Sequence, residues 1–394
     1  MRLLLFAVIP LIAMAIINFS PEGASKEGDC AAAPSFENYP EGDCAAAPSG
    51  NNPSQEDGPY IIYRNNQVFV HYIKPSGGQG KHQVDSFATT DRRNITLDIA
   101  TDVPGKTFKV KLQDKLVNEK TEYKKVSRQF IISDIEGEFG AFRKLLQAGK
   151  VIDENFNWTY GDGHLLLVGD FVDRGNQVNE VLWLIYSLEE KARAAGGYVH
   201  YVLGNHEIMV MSGDHRYVNP KYTASADTIG LHLMTLYGQD SEIGRWLRTK
   251  NVVEKIDNMI YVHGGISRKV NRMELNLSRI NELARPFYAD TTYLYPDPNT
   301  DTLYQDAGPF WYRGYYTGET ATAAQVLDSA FYKFRAKRMV TGHTPVRDTI
   351  SVWYDGRLYN TDTPHAKGKS EAMLVEGKNI WRMKADGTRV PLQD

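Results

Sequence analysis

Leu165-Leu166-Leu167-Val168-Gly169-Asp170-Phe171-Val172-Asp173-Arg174-Gly175 is the stretch that decides the fold of this 394-residue chain. Four consecutive apolar residues suit a strand buried on both faces. The run stops on Gly-Asp and yields to polar and charged residues closed by a second glycine. The same arrangement recurs along the chain. Phe130–Ile132 runs into Ser133-Asp134-Ile135-Glu136-Gly137, and Tyr198–Leu203 into Gly204-Asn205-His206-Glu207. Met259–Val262 runs into His263-Gly264-Gly265, and Met339–Val340 into Thr341-Gly342-His343-Thr344. Between the early strands, Phe139, Phe142, Leu145 and Leu146 recur at helical spacing with Gly149 as a stop. Val178, Val181, Leu182, Ile185 and Leu188 do so before Gly196-Gly197. Alternation of this kind predicts a layered α/β architecture. Later runs, Ile350–Tyr354, Leu358–Asn360, Ala372–Val375 and Ile380–Met383, read as turn-linked strands.

Five apolar strands that each deliver Asp, Asn or His at the carboxyl edge, usually beside glycine, place a mixed oxygen and nitrogen donor set where ligands gather in α/β sheets. Glycine there lets the backbone turn sharply and come close to a bound group. Two cations roughly 3.5–4 Å apart need a bridging carboxylate and separate terminal donors. Oxygen and imidazole donors suit Mn, Fe, Zn or Mg better than soft metals.

The motifs Gly169–Gly175 (GDFVDRG), Gly204–Glu207 (GNHE) and His263–Gly265 (HGG) resemble those of the calcineurin-like metallophosphoesterase superfamily, in its phosphoprotein phosphatase branch. Gly213-Asp214-His215-Arg216-Tyr217-Val218 and Trp311-Tyr312-Arg313-Gly314 are similar to the Shewanella-like phosphatases of that branch. The resemblance spans about residues 127–385. It implies a two-sheet sandwich flanked by helices and hydrolysis of phosphate monoesters, including phosphoprotein or phosphotyrosine-like substrates, by in-line attack of a metal-bridging hydroxide. It further implies that Asp134 binds a first metal, that Asp170 bridges two, and that Asn205, His263 and His343 hold the second. His206 would be the general acid, paired with Asp173, and Arg174 and Arg313 would clamp the phosphoryl oxygens. One departure stands out: the family has Asp-x-His at the first motif, where this chain has Asp134-Ile135-Glu136. Glu136 is expected to replace that imidazole as a metal ligand, giving the first metal three carboxylates and favouring Mn or Mg over Zn; of two divalent ions Mn is the expected identity, with Fe, Mg and Zn as alternatives. The rival readings are a pseudoenzyme that binds phosphate ligands without turnover, and a dinucleotide polyphosphate hydrolase sharing the core motifs.

The remaining features set the chain's organisation. Arg2 precedes an apolar run, Leu3–Ile17, too short for a comfortable membrane span and suited to a signal peptide over residues 1–19. An uncleaved N-terminal anchor is the alternative; either implies export to the periplasm or beyond. Residues 20–58 read as a disordered linker in which EGDCAAAPS occurs twice, at Glu27–Ser35 and Glu41–Ser49. Its Cys30 and Cys44 are the chain's two cysteines and could pair in an oxidising compartment. Residues 59–126 read as a small β-rich N-terminal element and 127–394 as the catalytic domain. A net charge of −3 provides no basic field for nucleic acid, so a phosphate ester must be met by local charges. His71, His82, His164, His200 and His232 read as packing or surface residues, and His365 as a residue of the cleft rim.

Overall fold

The computed structural model describes residues 56–76 and 79–392. The expected signal segment, the duplicated linker segment and both cysteines lie outside the described residues. Two six-stranded sheets stack face to face. The first has the order β17-β16-β15-β7-β8-β9, built from β7 (Arg128–Ile132), β8 (His164–Val168), β9 (Tyr198–Val202), β15 (Glu371–Glu376), β16 (Asn379–Lys384) and β17 (Arg389–Pro391). The second runs β13-β14-β12-β11-β10-β6. Its strands are β6 (Glu122–Tyr123), β10 (Val253–Ile256), β11 (Met259–Val262), β12 (Arg338–Thr341), β13 (Ser351–Trp353) and β14 (Leu358–Asn360). The expected two-sheet sandwich is therefore present.

Strand periodicity explains the two layers of core. On β7 and β8, Ile131, Leu166 and Val168 point one way and meet Ile256, Met259, Tyr261 and Val340 of the second sheet. Phe130, Ile132, Leu165 and Leu167 point the other way, toward α1 (Phe139–Ala148) and α2 (Val178–Ala194). Burial on both faces is what made these strands legible as unbroken apolar runs. β7, β8 and β9 are mutually parallel, so their carboxyl ends lie at one edge; β11, β12 and β14 are parallel likewise.

The N-terminal segment folds against α2. β1 (Asp57–Arg64), β2 (Gln67–Ser76) and β3 (Gln79–Ala88) form one antiparallel sheet, and β4 (Thr96–Ala100) pairs with β5 (Thr107–Lys111). Trp183 Nε1 donates to Pro59 O at 3.0 Å, and Gln113 N to Tyr186 Oη at 2.7 Å. β3 was not expected from the sequence, because most of its described side chains, Val84 and Phe87 included, are exposed.

Asp57 fastens this segment. Its buried carboxylate accepts from Tyr60 Oη (2.5 Å), Asn179 Nδ2 (2.9 Å) and Ser225 Oγ, and pairs with Lys221 Nζ at 3.2 Å. Asn179 lies on α2; Lys221 and Ser225 lie on α4 (Pro220–Ile229), which follows α3 (Asn205–Ser212) directly by way of the Gly213–Asn219 loop. Removing the anion strands four donors. Asp57→Ala is expected to cost about 3 kcal/mol, read as a lower urea midpoint at unchanged slope.

Candidate active site

The carboxyl edges of both sheets converge on one place. β7, β8 and β9 lead into Asp134, Asp170 and Asn205, while β11 and β12 lead into His263 and His343. One potential ligand atom each from Asp170, His263 and His343 lies within 4.8 Å of the others, and all three residues are buried. Glu136, Asp170 and His206 form a second such trio. Asp170 belongs to both. Asn205 joins the first, with Oδ1 3.1 Å from His263 Nε2. Asp134 is in neither trio; its carboxylate accepts the backbone N–H of His343 at 3.0 Å.

Hydrogen bonds to carbonyls fix the imidazole tautomers, since a carbonyl can only accept. His263 Nδ1 donates to Val168 O at 2.7 Å, which turns Nε2 toward Asp170 Oδ2, 2.9 Å away. His343 Nε2 donates to Trp311 O at 3.1 Å, leaving Nδ1 as its free donor atom. This is the outer-shell arrangement that presents an imidazole lone pair to a cation. The donor set therefore suits divalent-cation binding, with Asp170 common to both trios.

Electrostatics point the same way. Burial opposes ionisation of Asp170, but the imidazoles of His263 and His206 overcome it and hold the carboxyl well below its usual range. Burial depresses His263, and Asp170 reverses this and pushes it up to about 10. Asp134 is raised well above its usual value by burial and then by the charge of Asp362. Positive charge is thus favoured beside Asp170 at the centre.

His206 begins the same helix as Asn205, α3. Its Nδ1 bonds Asp173 Oδ2 at 2.7 Å, and its Nε2 points to Asp170 Oδ2 at 3.9 Å. The ring of Tyr217 tilts against it with centroids 5.2 Å apart. Arg174 lies over the ring of that tyrosine, 5.1 Å from its centre, and its guanidinium pairs with Glu136. Arg313 Nη1 donates to His343 O at 2.7 Å. The residues expected from the sequence are thus gathered in one cleft, with Glu136 facing Arg174 as well as Asp170.

The backbone here is forced. Asp134, Glu136, Asp170, Asp173, Arg174 and His343 all have φ between 47° and 70°, a left-handed conformation that costs a side-chain-bearing residue of order 1 kcal/mol or more. Two glycines permit the crowding. A Cβ on Gly342 would lie 2.3 Å from Asp134 Oδ2, and one on Gly204 2.2 Å from Asp170 Oδ1.

Three contributors escaped the sequence reading. Glu207 was visible in GNHE without a role; it is fully buried and accepts from Asp170 N (3.0 Å), Phe171 N (2.7 Å), Gly204 N (2.7 Å) and Tyr201 Oη (2.8 Å). Asp362 follows β14, one of the short strands, and carried the same apolar-then-Asp signal. Tyr217 lay in a quoted motif. His365 is a correction: it is buried behind the site, with Nε2 donating to Ser133 O at 3.1 Å, and not at the rim. Because Glu207 holds the loops after β8 and β9 together, Glu207→Gln must turn an amide N–H toward those donors. It is expected to cost about 2–3 kcal/mol and to weaken metal binding, measured by guanidinium unfolding and by metal content after dialysis.

Comparison with known proteins agrees with this geometry. Residues 128–347 match the family model described as calcineurin-like phosphoesterase. A cold-active protein-tyrosine phosphatase of a psychrophilic Shewanella species has a solved structure that superposes with a TM-score of 0.76 at 34% identity, covering 86% of this chain and 100% of that one. An uncharacterised protein of Schizosaccharomyces pombe is 30% identical over 241 residues, 59% of this chain and 72% of its own length. Shewanella-like protein phosphatase 1 of Plasmodium berghei is 28% identical over 250 residues, 60% of this chain and 66% of its own length. The chain belongs to the calcineurin-like phosphoesterase family and is a phosphatase-type hydrolase.

Proposed function

We propose that this protein is a two-metal phosphomonoesterase that cleaves aryl phosphates, phosphotyrosine in proteins among them. The observation that carries the reading is Asp170, shared between two separate donor groups and faced by the His206–Asp173 pair. Asp134, Glu136 and Asp170 would hold one cation, and Asp170, Asn205, His263 and His343 the other. Two divalent ions bound there would polarise the phosphoryl oxygens and make water acidic enough to act as a nucleophile near neutral pH. The carboxylate-rich side favours Mn over Zn.

The protein's own groups do the rest. Arg174 and Arg313 flank the centre and suit the equatorial phosphoryl oxygens, where charge builds up. His206, oriented by Asp173, gives its Nε2 proton to the departing oxygen as the P–O bond breaks. Tyr217, against the His206 ring, lines the side from which that oxygen leaves. This placement supports an aromatic leaving group, as does similarity to a protein named as a protein-tyrosine phosphatase. The deciding experiment is a substrate panel with added Mn²⁺: p-nitrophenyl phosphate and phosphotyrosine peptides should turn over well ahead of bis-nucleoside polyphosphates. No turnover of any substrate with any added cation would make the chain a binding-only relative.

We also propose that the protein is exported, on the strength of the Leu3–Ile17 run. The mature N-terminus should lie beyond that run; an intact Met1 on cytosolic protein would refute it. For the acid, His206→Ala should slow alkyl phosphate hydrolysis by about 10²–10⁴-fold. The loss should be much smaller for p-nitrophenyl phosphate, whose leaving group needs little protonation, and both metals should stay bound. Equal losses on the two substrates would remove His206 from that role.

A further inference from the structure

Large apolar side chains left in water are ordinary when scattered and informative when gathered. Four of those exposed among the described residues gather around the carboxyl end of α3: Tyr217, Met234, Tyr293 and Leu294, the last of them 80% exposed. Ser212, the final residue of α3, gives its hydroxyl proton to Met209 O at 3.2 Å and therefore accepts from Tyr293 Oη at 3.1 Å. The next residue, Gly213, lies against Met234 of α5 (Leu233–Leu236); a Cβ on it would stand 3.0 Å from the Met234 Sδ. Tyr217, on the same loop, carries the surface to the cleft. Its ring centroid is 5.2 Å from that of His206, with the guanidinium groups of Arg174 and Arg216 5.1 and 5.8 Å from the ring centre. Arg216 brings no free charge, because Asp214 holds its guanidinium at 2.7 Å.

The corner that carries Tyr293 and Leu294 is firmly anchored. Tyr295 stacks on Tyr304 with ring centroids 4.6 Å apart, and Tyr304 packs in turn against Phe310. On the other side, Asp290 Oδ1 accepts from Thr292 N at 3.1 Å and Thr292 Oγ1 at 2.8 Å, and Leu294 N donates to Thr292 Oγ1 at 3.2 Å. Tyr293 itself sits at φ 53°, a left-handed conformation adopted at a cost. A corner fixed at both ends that still turns an aromatic and an aliphatic side chain to water presents them to a partner. Its distance from the chemistry says which. His206 lies in the first turn of α3 and Ser212 at its end, about 9 Å apart along the helix, and an extended peptide covers that span in about three residues. On the reading of this protein as a phosphatase for phosphotyrosine in proteins, we propose that Tyr293 and Leu294 are specificity-determining residues. They receive a large apolar side chain of the substrate polypeptide about three residues from the phosphotyrosine, and Tyr217 and Met234 complete the apolar surface between. With Arg216 already neutralised, an apolar flank fits this surface better than an acidic one.

The test is steady-state kinetics of the full chain with Mn²⁺ on a pair of phosphotyrosine peptides, with p-nitrophenyl phosphate as reference. The peptides differ only at the third residue on either side of the phosphotyrosine, Leu in one and Ser in the other. Wild type should favour the Leu peptide about tenfold in kcat/KM, mostly through KM. Tyr293→Ser and Leu294→Ser should each bring that preference down to about twofold, whereas Tyr293→Phe, which keeps the ring, should retain it. No preference in wild type, or a preference that survives both serine variants, would overturn the proposal and leave the phosphatase reading intact. Equal losses on both peptides and on p-nitrophenyl phosphate would reduce the corner to a structural part and overturn it as well. Concentration-dependent dimerisation in sedimentation that Leu294→Ser abolishes, with the peptide preference unchanged, would assign the surface to a second copy of the chain and overturn it too. Wild type that hydrolyses p-nitrophenyl phosphate and neither peptide would overturn the phosphotyrosine reading itself, and this proposal with it.

Discussion

The buried carboxylate of Asp170 is the constraint around which the structure is arranged. It leaves the first sheet in a left-handed turn, reaches His263 of the second sheet at 2.9 Å and accepts the N–H of His206 at 3.0 Å. An anion so deep is tolerable only with positive charge beside it. Glu207 answers the mechanical side of the problem by capturing the amides of Asp170, Phe171 and Gly204. Two adjacent buried acids thus have different tasks: one faces the ions, the other holds the loops that aim it.

Much of this was legible in the sequence, and the reason is physical. Strands buried on both faces cannot alternate, so Leu165–Val168 and Phe130–Ile132 announce themselves as apolar runs, and the residues after them must lie at the carboxyl edge. The same logic failed where burial was partial or the element short. β3 exposes nearly every side chain and left no pattern. β10, with Glu254 and Lys255 among its four residues, looked polar, although Glu254 is buried against His200 at 2.7 Å. β14 was read as a strand over Leu358–Asn360, but Asp362 stands two residues beyond its end and drew no role from the sequence. Cooperation between distant residues was not legible at all. Nothing local says that Glu207 caps three amides, or that His365 reaches back to Ser133.

Strain and packing are distributed with the same economy. Six of the residues gathered in the cleft, Asp134, Glu136, Asp170, Asp173, Arg174 and His343, sit at positive φ. The compensation comes from the two apolar layers beneath, where Phe142, Leu165, Leu167, Trp183 and Tyr201 are fully buried. A rigid floor allows an unfavourable backbone to persist above it.

The cleft draws donors from both sheets, and those sheets touch through Ile131, Leu166, Val168 and Val202 on one side and Ile256, Tyr261 and Val340 on the other. The span between the two donor groups is therefore a gauge of interlayer thickness. A methyl added to or trimmed from that seam, far from any polar group, changes the spacing of the sheets and with it the distance across the cleft. Hydrophobic side chains that never meet solvent or substrate become the calibrating parts of the centre.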